Sequence, residues 1–209
     1  YGEDHHAVAA NLTMIGRAQI RALRWEDAVG ALEEALAIRE RVFGPDHPNV
    51  ASTVNELGTV ALRRERFEEA ERHYLRANAI YRATYGDRHY LVGITLSNLG
   101  SVGMGRQDNA AAERYLRQAV ALFTEALGPD HSNVGIARTK LGRALLRQGK
   151  YREAIEESTA GYQILGKQAS PAMNFITNAR ADLVTAYTAL GQPEAAARYR
   201  DSTAASGPK

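Results

Sequence analysis

Four histidines fall at one constant spacing: His5, His47, His89 and His131 stand 42 residues apart. Asp4, Asp46 and Asp130 precede three of them, and Arg88 precedes the other. A carboxylate beside an imidazole has two familiar uses, orienting the ring for proton transfer or joining it as a metal ligand. Both need convergence, because zinc ligands sit about 2 Å from the ion and approach from several sides. Equivalent positions on packed neighbouring helices lie about 8–10 Å apart. A column with one histidine per repeat therefore cannot close on a single ion, and the histidines read as structural. His6 and His73 stand outside the column without an evident partner. Cysteine is absent, and neither a phosphate loop nor a Gly-x-Ser-x-Gly elbow occurs. No catalytic residue, metal or cofactor is expected, and the chain does not read as an enzyme.

The histidines belong to a repeated joint. "YGEDHHAVA", "FGPDHPNVA", "YGDRHYLVG" and "LGPDHSNVG" begin at Tyr1, Phe43, Tyr85 and Leu127. Gly44 suits a left-handed cap at the end of one helix, with Pro45 just beyond it. Pro48 suits the first position of the next helix, which places Asp46 and His47 to cap it. The same period holds well beyond the joint. Gly16, Gly58, Gly100 and Gly142 form one column, preceded by Ile15, Leu57, Leu99 and Leu141. Ala28, Ala70, Ala112, Ala154 and Ala196 form another, and Ala35, Ala77, Ala119 and Gly161 a third. A further step of 42 from Leu141 and Gly142 reaches Leu183 and Val184, a fifth and degraded copy. Repeats at such periods signal stacked supersecondary units.

Each unit has helical periodicity. Val50, Val54, Leu57, Val60 and Ala61 recur at three- and four-residue steps, and so do Phe67, Ala70, Tyr74, Ala77 and Ile80. The polar "RRERFEE" between them predicts a tight turn. Small residues at Gly58, Ala70 and Ala77 let two antiparallel helices come close. Trp25, Phe67 and Tyr151 share a column at that turn and are expected to plug the hairpin. Asn109 breaks this column, and "GMGRQDN", with Gly103 and Gly105, reads as a soft point. "LGKQASPAMN" is a second irregularity, before repeat five.

The bulk composition agrees with this picture. The chain has 209 residues, 44% hydrophobic and 24% charged, with a net charge of +2. That balance argues against a nucleic-acid partner, and no apolar run approaches the roughly 20 residues that span a bilayer. Zero Cys fits a reducing compartment, and a cytoplasmic location is expected. The fold class is expected to be all-α, a right-handed superhelical solenoid of about five helix-turn-helix repeats. They run over about 5–43, 47–85, 89–127, 131–168 and 173–204, a single array over 1–204, with a disordered tail at 205–209.

Gly58, Ala70, Tyr74 and Ala77 match the small, Ala, aromatic and Ala positions of the tetratricopeptide repeat, which this chain resembles. The usual period is about 34 residues. The longer unit with "GPDHPNVA" at its joint is similar to the kinesin-light-chain class. The resemblance implies an interaction module, often part of a motor adaptor or of a bacterial multidomain signalling protein, and this chain is expected to be such a fragment. It also implies that first helices line a concave groove. Carried onto this sequence, the groove positions give Arg17, Ile20, Arg21, Asn55, Leu62, Arg63, Asn98, Met104, Lys140, Arg143, Leu146 and Arg147. The position holding Asn98 and Lys140 holds Met14 and Glu56 in the first two repeats.

An apolar strip of Ile20, Leu62, Met104 and Leu146 thus runs beside a basic one of Arg17, Arg21, Arg63, Lys140, Arg143 and Arg147. A protein or peptide segment, acidic with apolar anchors, would match it, since Arg pairs carboxylates bidentately. Thr13, Asn55, Ile94 and Ile136 break the family's carboxylate-clamp pattern, so a chaperone tail is not the expected ligand. Two alternatives stay open. One is a structural scaffold that self-associates through its first repeat. The other is a regulatory C-terminal array packing against an upstream signalling domain.

Overall fold

The computed structural model describes residues 6–200. His5, the opening Tyr1 and the tail expected at 205–209 lie outside the described residues. Ten α-helices make up the described chain, with no strand among those residues. They are α1 (His6–Arg21), α2 (Trp25–Phe43), α3 (Pro48–Arg63), α4 (Phe67–Tyr85), α5 (Tyr90–Gly105), α6 (Asn109–Leu127), α7 (Ser132–Leu146), α8 (Tyr151–Gly166), α9 (Met173–Ala189) and α10 (Pro193–Arg200). Two compact units result, the first ending at Arg106 and the second starting at Gln107. In the first, α1 to α5 pack each against the next. In the second, α6 to α10 do the same, and α7 also meets α9.

Helix pairs close on the small-residue columns. A Cβ at Gly16 would lie 2.8 Å from Leu32 Cγ, and one at Gly58 2.8 Å from Tyr74 Cε1. Leu32 and Leu116 are wholly buried in this layer, and each such side chain contributes about 1.5–3 kcal/mol of burial. In the fourth repeat the column of Leu32, Tyr74 and Leu116 holds Ser158, against which a Cβ at Gly142 would collide. Gly135 and Gly161 add to that approach: a Cβ at Gly161 would sit 2.8 Å from the Gly135 carbonyl. The α7–α8 hairpin is thus packed nearly backbone to backbone. Its cost is the buried Ser158 hydroxyl, which finds no hydrogen-bond partner among the described residues.

At the joints the histidines cap helices. His47, His89 and His131 are the N-caps of α3, α5 and α7, in extended backbone. Each Nδ1 accepts the N–H two residues on, from Asn49 (3.1 Å), Leu91 (3.4 Å) and Asn133 (3.1 Å). The rings also stack on the end of the preceding helix: His47 lies 4.5 Å from Phe43 and His89 4.4 Å from Tyr85, centre to centre. Asp46, expected to share the cap, is exposed, and the capping bond is made by His47.

Gly44 differs from expectation as well. Its φ of 84° is positive, but its ψ of 159° is extended, as at Gly86 and Gly128, a region open essentially to glycine alone. The left-handed caps lie instead at the turns inside the repeats. Leu23, Glu65 and Gln107 have φ near +60°, and Gly149 and Gly191 occupy the same column. At four of these turns the N–H of the following residue returns to a carbonyl five residues earlier: Arg24 to Gln19, Arg66 to Ala61, Lys150 to Leu145 and Gln192 to Tyr187. That is the bond pattern of a Schellman motif.

The stretch read as soft is continuous helix through Gly103 to Gly105, and the boundary between the units falls just beyond it. Gly105 has a packing reason, because a Cβ there would run into the Phe67 ring. Asp108 then caps α6 by accepting the Ala111 N–H at 2.9 Å. Trp25, Phe67 and Tyr151 open α2, α4 and α8 half-buried, and Trp25 packs on the Ala28, Leu32, Leu57 and Val60 cluster. Before α9, Gln168 bridges the irregular joint by donating to the carbonyls of Asp130 and Ile164, both at 3.0 Å.

A non-glycine residue in the left-handed region costs about 1–2 kcal/mol, partly offset in a glycine variant by unfolded-chain entropy. Leu23 is 69% exposed and loses little packing on truncation. Leu23→Gly is therefore expected to stabilise the chain by a few tenths to about 1 kcal/mol in urea denaturation. Gly149→Ala should cost a similar amount.

Candidate functional site

Eight of the candidate groove residues, Arg17 to Met104, lie in the first unit, and Lys140, Arg143, Leu146 and Arg147 lie in the second.

In the first unit, Asn98 Nδ2 donates to Asn55 Oδ1 at 3.1 Å, joining α5 to α3. Each amide keeps further donor or acceptor capacity. Arg17 is not a bare cation: its Nε donates to Glu56 Oε1 at 2.8 Å, and its second nitrogen lies 2.8 Å from the same oxygen. Ile20, read as part of an open apolar strip, is half-buried against the Ala28, Leu32, Leu57 and Val60 cluster. Leu62 and Met104 are also half-buried. Arg21 and Arg63 are exposed as the last residues of α1 and α3, where a cation also complements the helix dipole. Neither forms an ion pair among the described residues.

In the second unit, Arg143 is likewise engaged. Its Nε reaches both oxygens of Asp182 on α9, at 3.2 and 3.0 Å, and its Nη2 donates to Oδ1 at 3.2 Å. Asp182 is only 9% exposed. Burial raises its pKa above the ordinary carboxylate value, against the pull of Arg143 and then Arg147. Lys140 Nζ lies 6.0 Å from the centre of the Phe175 ring, a cation–π distance. Leu146 is half-buried, and Arg147 is exposed as the C-cap of α7.

The basic strip is thus partly neutralised from within. Arg17 and Glu56 are 39 residues apart, and so are Arg143 and Asp182. In both pairs one repeat's arginine meets the next repeat's acid, and Asp182 stands in the Glu56 column, three periods of 42 further on. What the sequence reading missed was Asp182 itself, because the fifth repeat is degraded.

Carboxylates of the second helices are also shared. Arg76 bridges to Glu40 at 2.5 Å, and Arg106 to Glu71 at 2.9 Å. Glu113 on α6 accepts from Lys150 Nζ at 2.7 Å, Gln148 Nε2 at 2.9 Å and Arg117 Nε at 2.9 Å. Burial opposes ionisation of Glu113, but the hydrogen bonds from Lys150, Gln148 and Arg117 outweigh it and bring the pKa down to about 2. His73 Nε2 lies 3.9 Å from Glu69 one turn back, and burial lowers its pKa. Among the described residues, no three His, Asp or Glu side chains converge to hold a metal ion. No described helix is long and apolar enough to cross a membrane.

The tetratricopeptide repeat family signature matches residues 9–83, 50–110 and 91–165. No curated protein sequence matches the chain. Among solved structures, a Podosopora anserina protein named for kinesin light chain, built of nearly identical tetratricopeptide-like repeats, superposes with a TM-score of 0.75 at 21% identity. The match covers 97% of this chain and 99% of that one. BtubC (BKLC) from P. vanneervenii superposes with a TM-score of 0.82 at 16% identity, over 98% of this chain and 84% of that one. A Rap protein complexed with competence and sporulation factor gives 0.76 at 15%, over 91% of this chain and 51% of its own. At these identities the likeness is one of fold.

Two outcomes are expected from the charges. Arg143→Gln should destabilise the chain by on the order of 2 kcal/mol, since it strands a buried carboxyl that can partly escape by taking up a proton. Adding Asp182→Asn should recover most of the loss in the same denaturation assay. The depressed pKa of Glu113 makes its contribution fully present above about 4.5 and lost as pH falls towards about 2. Stability measured between those limits should therefore fall less steeply in Glu113→Gln.

Proposed function

We propose that this chain, which belongs to the tetratricopeptide repeat family, is a protein–protein interaction module that binds a peptide segment on the first-helix face of its first unit. The carrying observation is the Asn55–Asn98 pair, flanked by half-buried Leu62 and Met104 and by exposed Arg21 and Arg63. Paired amides suit the backbone of an extended segment, half-buried apolar side chains suit its anchors, and the two terminal arginines favour acidic residues. The Rap protein solved with competence and sporulation factor supports a ligand-binding role for this kind of repeat stack. The reading calls for no cofactor, metal, nucleic acid or catalytic group, and it fits a cytoplasmic protein.

One observation favours a second reading, self-association through the first repeat. Ile15 is 48% exposed, while its column partners Leu57, Leu99 and Leu141 are 5%, 2% and 1% exposed. Met14 beside it is 66% exposed. Together they make an apolar patch on α1 of the kind that mediates contact.

Selection of peptides from a random display library against the whole chain tests the first reading. Selected peptides are expected to lose about tenfold in affinity, roughly 1.4 kcal/mol, with Asn55→Ala or Arg63→Glu. Circular dichroism should show both variants folded. Affinity unchanged in both removes the groove. For the second reading, sedimentation should show a mass that rises with concentration and becomes constant in Ile15→Glu.

A further inference from the structure

Arg39 on α2 is a half-buried cation with no carboxylate against it among the described residues. Its Nη1 donates to the Asn49 carbonyl at 2.9 Å and to Thr53 Oγ1 at 2.6 Å, both neutral acceptors on α3. Thr53 is wholly buried, and its hydroxyl in turn donates to the Asn49 carbonyl at 3.3 Å. The guanidinium is therefore held in a fixed position by one of its nitrogens. Nε and Nη2 make no hydrogen bond among the described residues.

The charges around Arg39 do not offset it. Desolvation lowers its pKa, and the positive charge of Arg17 lowers it further. Arg17 already has Glu56 as its partner, so among the described residues this corner holds two arginines and one carboxylate. Tyr81, in the Arg39 column one repeat on, is 4% exposed, and burial pushes its phenol up to about 12, so it stays neutral. A guanidinium partly withdrawn from water and left without a counter-charge is costly, and a bound anion relieves that cost. The open side of the fork is the geometry that takes a carboxylate through two parallel hydrogen bonds.

We infer that Arg39 is the seat for an acidic side chain of the peptide partner, taken through Nε and Nη2 while Nη1 stays anchored on α3. The inference rests on the peptide-binding reading and adds to it a fixed seat for one acidic residue of the ligand. The seat lies on a second helix, outside the twelve groove positions. Arg17 and Arg143, the residues that a charge pattern alone would choose, are occupied by the protein's own acids.

Two measurements on the whole chain test this. In the first, N-acetylglutamate is titrated while the arginine Nε–Hε resonances are followed by NMR. A saturable shift of the Arg39 signal is expected at millimolar concentrations, with none from N-acetylglutamine. In the second, the display-selected peptides are measured against Arg39→Gln and Arg39→Lys, with thermal melts confirming that both fold. Affinity should fall about tenfold in Arg39→Gln, and by a similar factor when the peptide's Glu is changed to Gln. Arg39→Lys should restore only part of it, because an ammonium cannot form the fork. No saturable shift, with peptides sensitive to Asn55→Ala but indifferent to Arg39→Gln, overturns the seat and leaves the groove standing. A saturable shift with peptides indifferent to Asn55→Ala supports the seat and removes the groove.

Discussion

The hairpins close where one helix presents no side chain at all. At Gly58 the Tyr74 ring takes the space that a Cβ would fill, and at Gly16 Leu32 does so. Burial of Leu32, Tyr74 and Leu116 follows from that approach, and Tyr74 can then aim its hydroxyl at Thr59, 3.3 Å away. Burial pushes the Tyr74 phenol well above its ordinary pKa, so it stays neutral there. The fourth repeat takes the same constraint further by placing small residues on both helices. Helix pairs that meet this closely fix the rotation of each helix, and with it the face that each first helix turns outward.

Between repeats the contact is electrostatic as well as apolar. Arg17–Glu56, Arg143–Asp182, Arg76–Glu40 and the Glu113 cluster each tie one repeat to the next. Exposed pairs of this kind contribute little singly. The pairs at Glu113, 14% exposed, and Asp182 are set deeper, and they matter more because an unmatched charge there is costly. This also governs function. An arginine already satisfied by a neighbour offers an incoming peptide little, whereas among the described residues Arg39 is held in place by neutral oxygens alone.

The histidine column shows how a motif that resembles chemistry can serve architecture. One ring caps the next helix through Nδ1 and, in two of the repeats, also stacks on the last aromatic of the helix before. Both contacts are local in sequence, which is why the spacing of 42 preserves them.

Much of the fold was therefore legible in the sequence. The period, the helical spacing within it and the small-residue columns set the number of hairpins and their close contacts, because these depend on neighbours a few residues or one repeat away. The capping role of His47 was legible for the same reason. Local signals misled at Gly44, whose positive φ was foreseen but whose ψ is extended. They also missed the left-handed turns at Leu23, Glu65 and Gln107, where no glycine marks the place. The binding surface was legible only as columns of residue types. Whether an arginine in a column is available depends on which acid the next repeat brings within 3 Å, and on how much water each side chain keeps. Both are properties of packed helices, so only the tertiary structure separated Arg17 and Arg143, which are paired with acids, from Arg39, which meets no acid among the described residues.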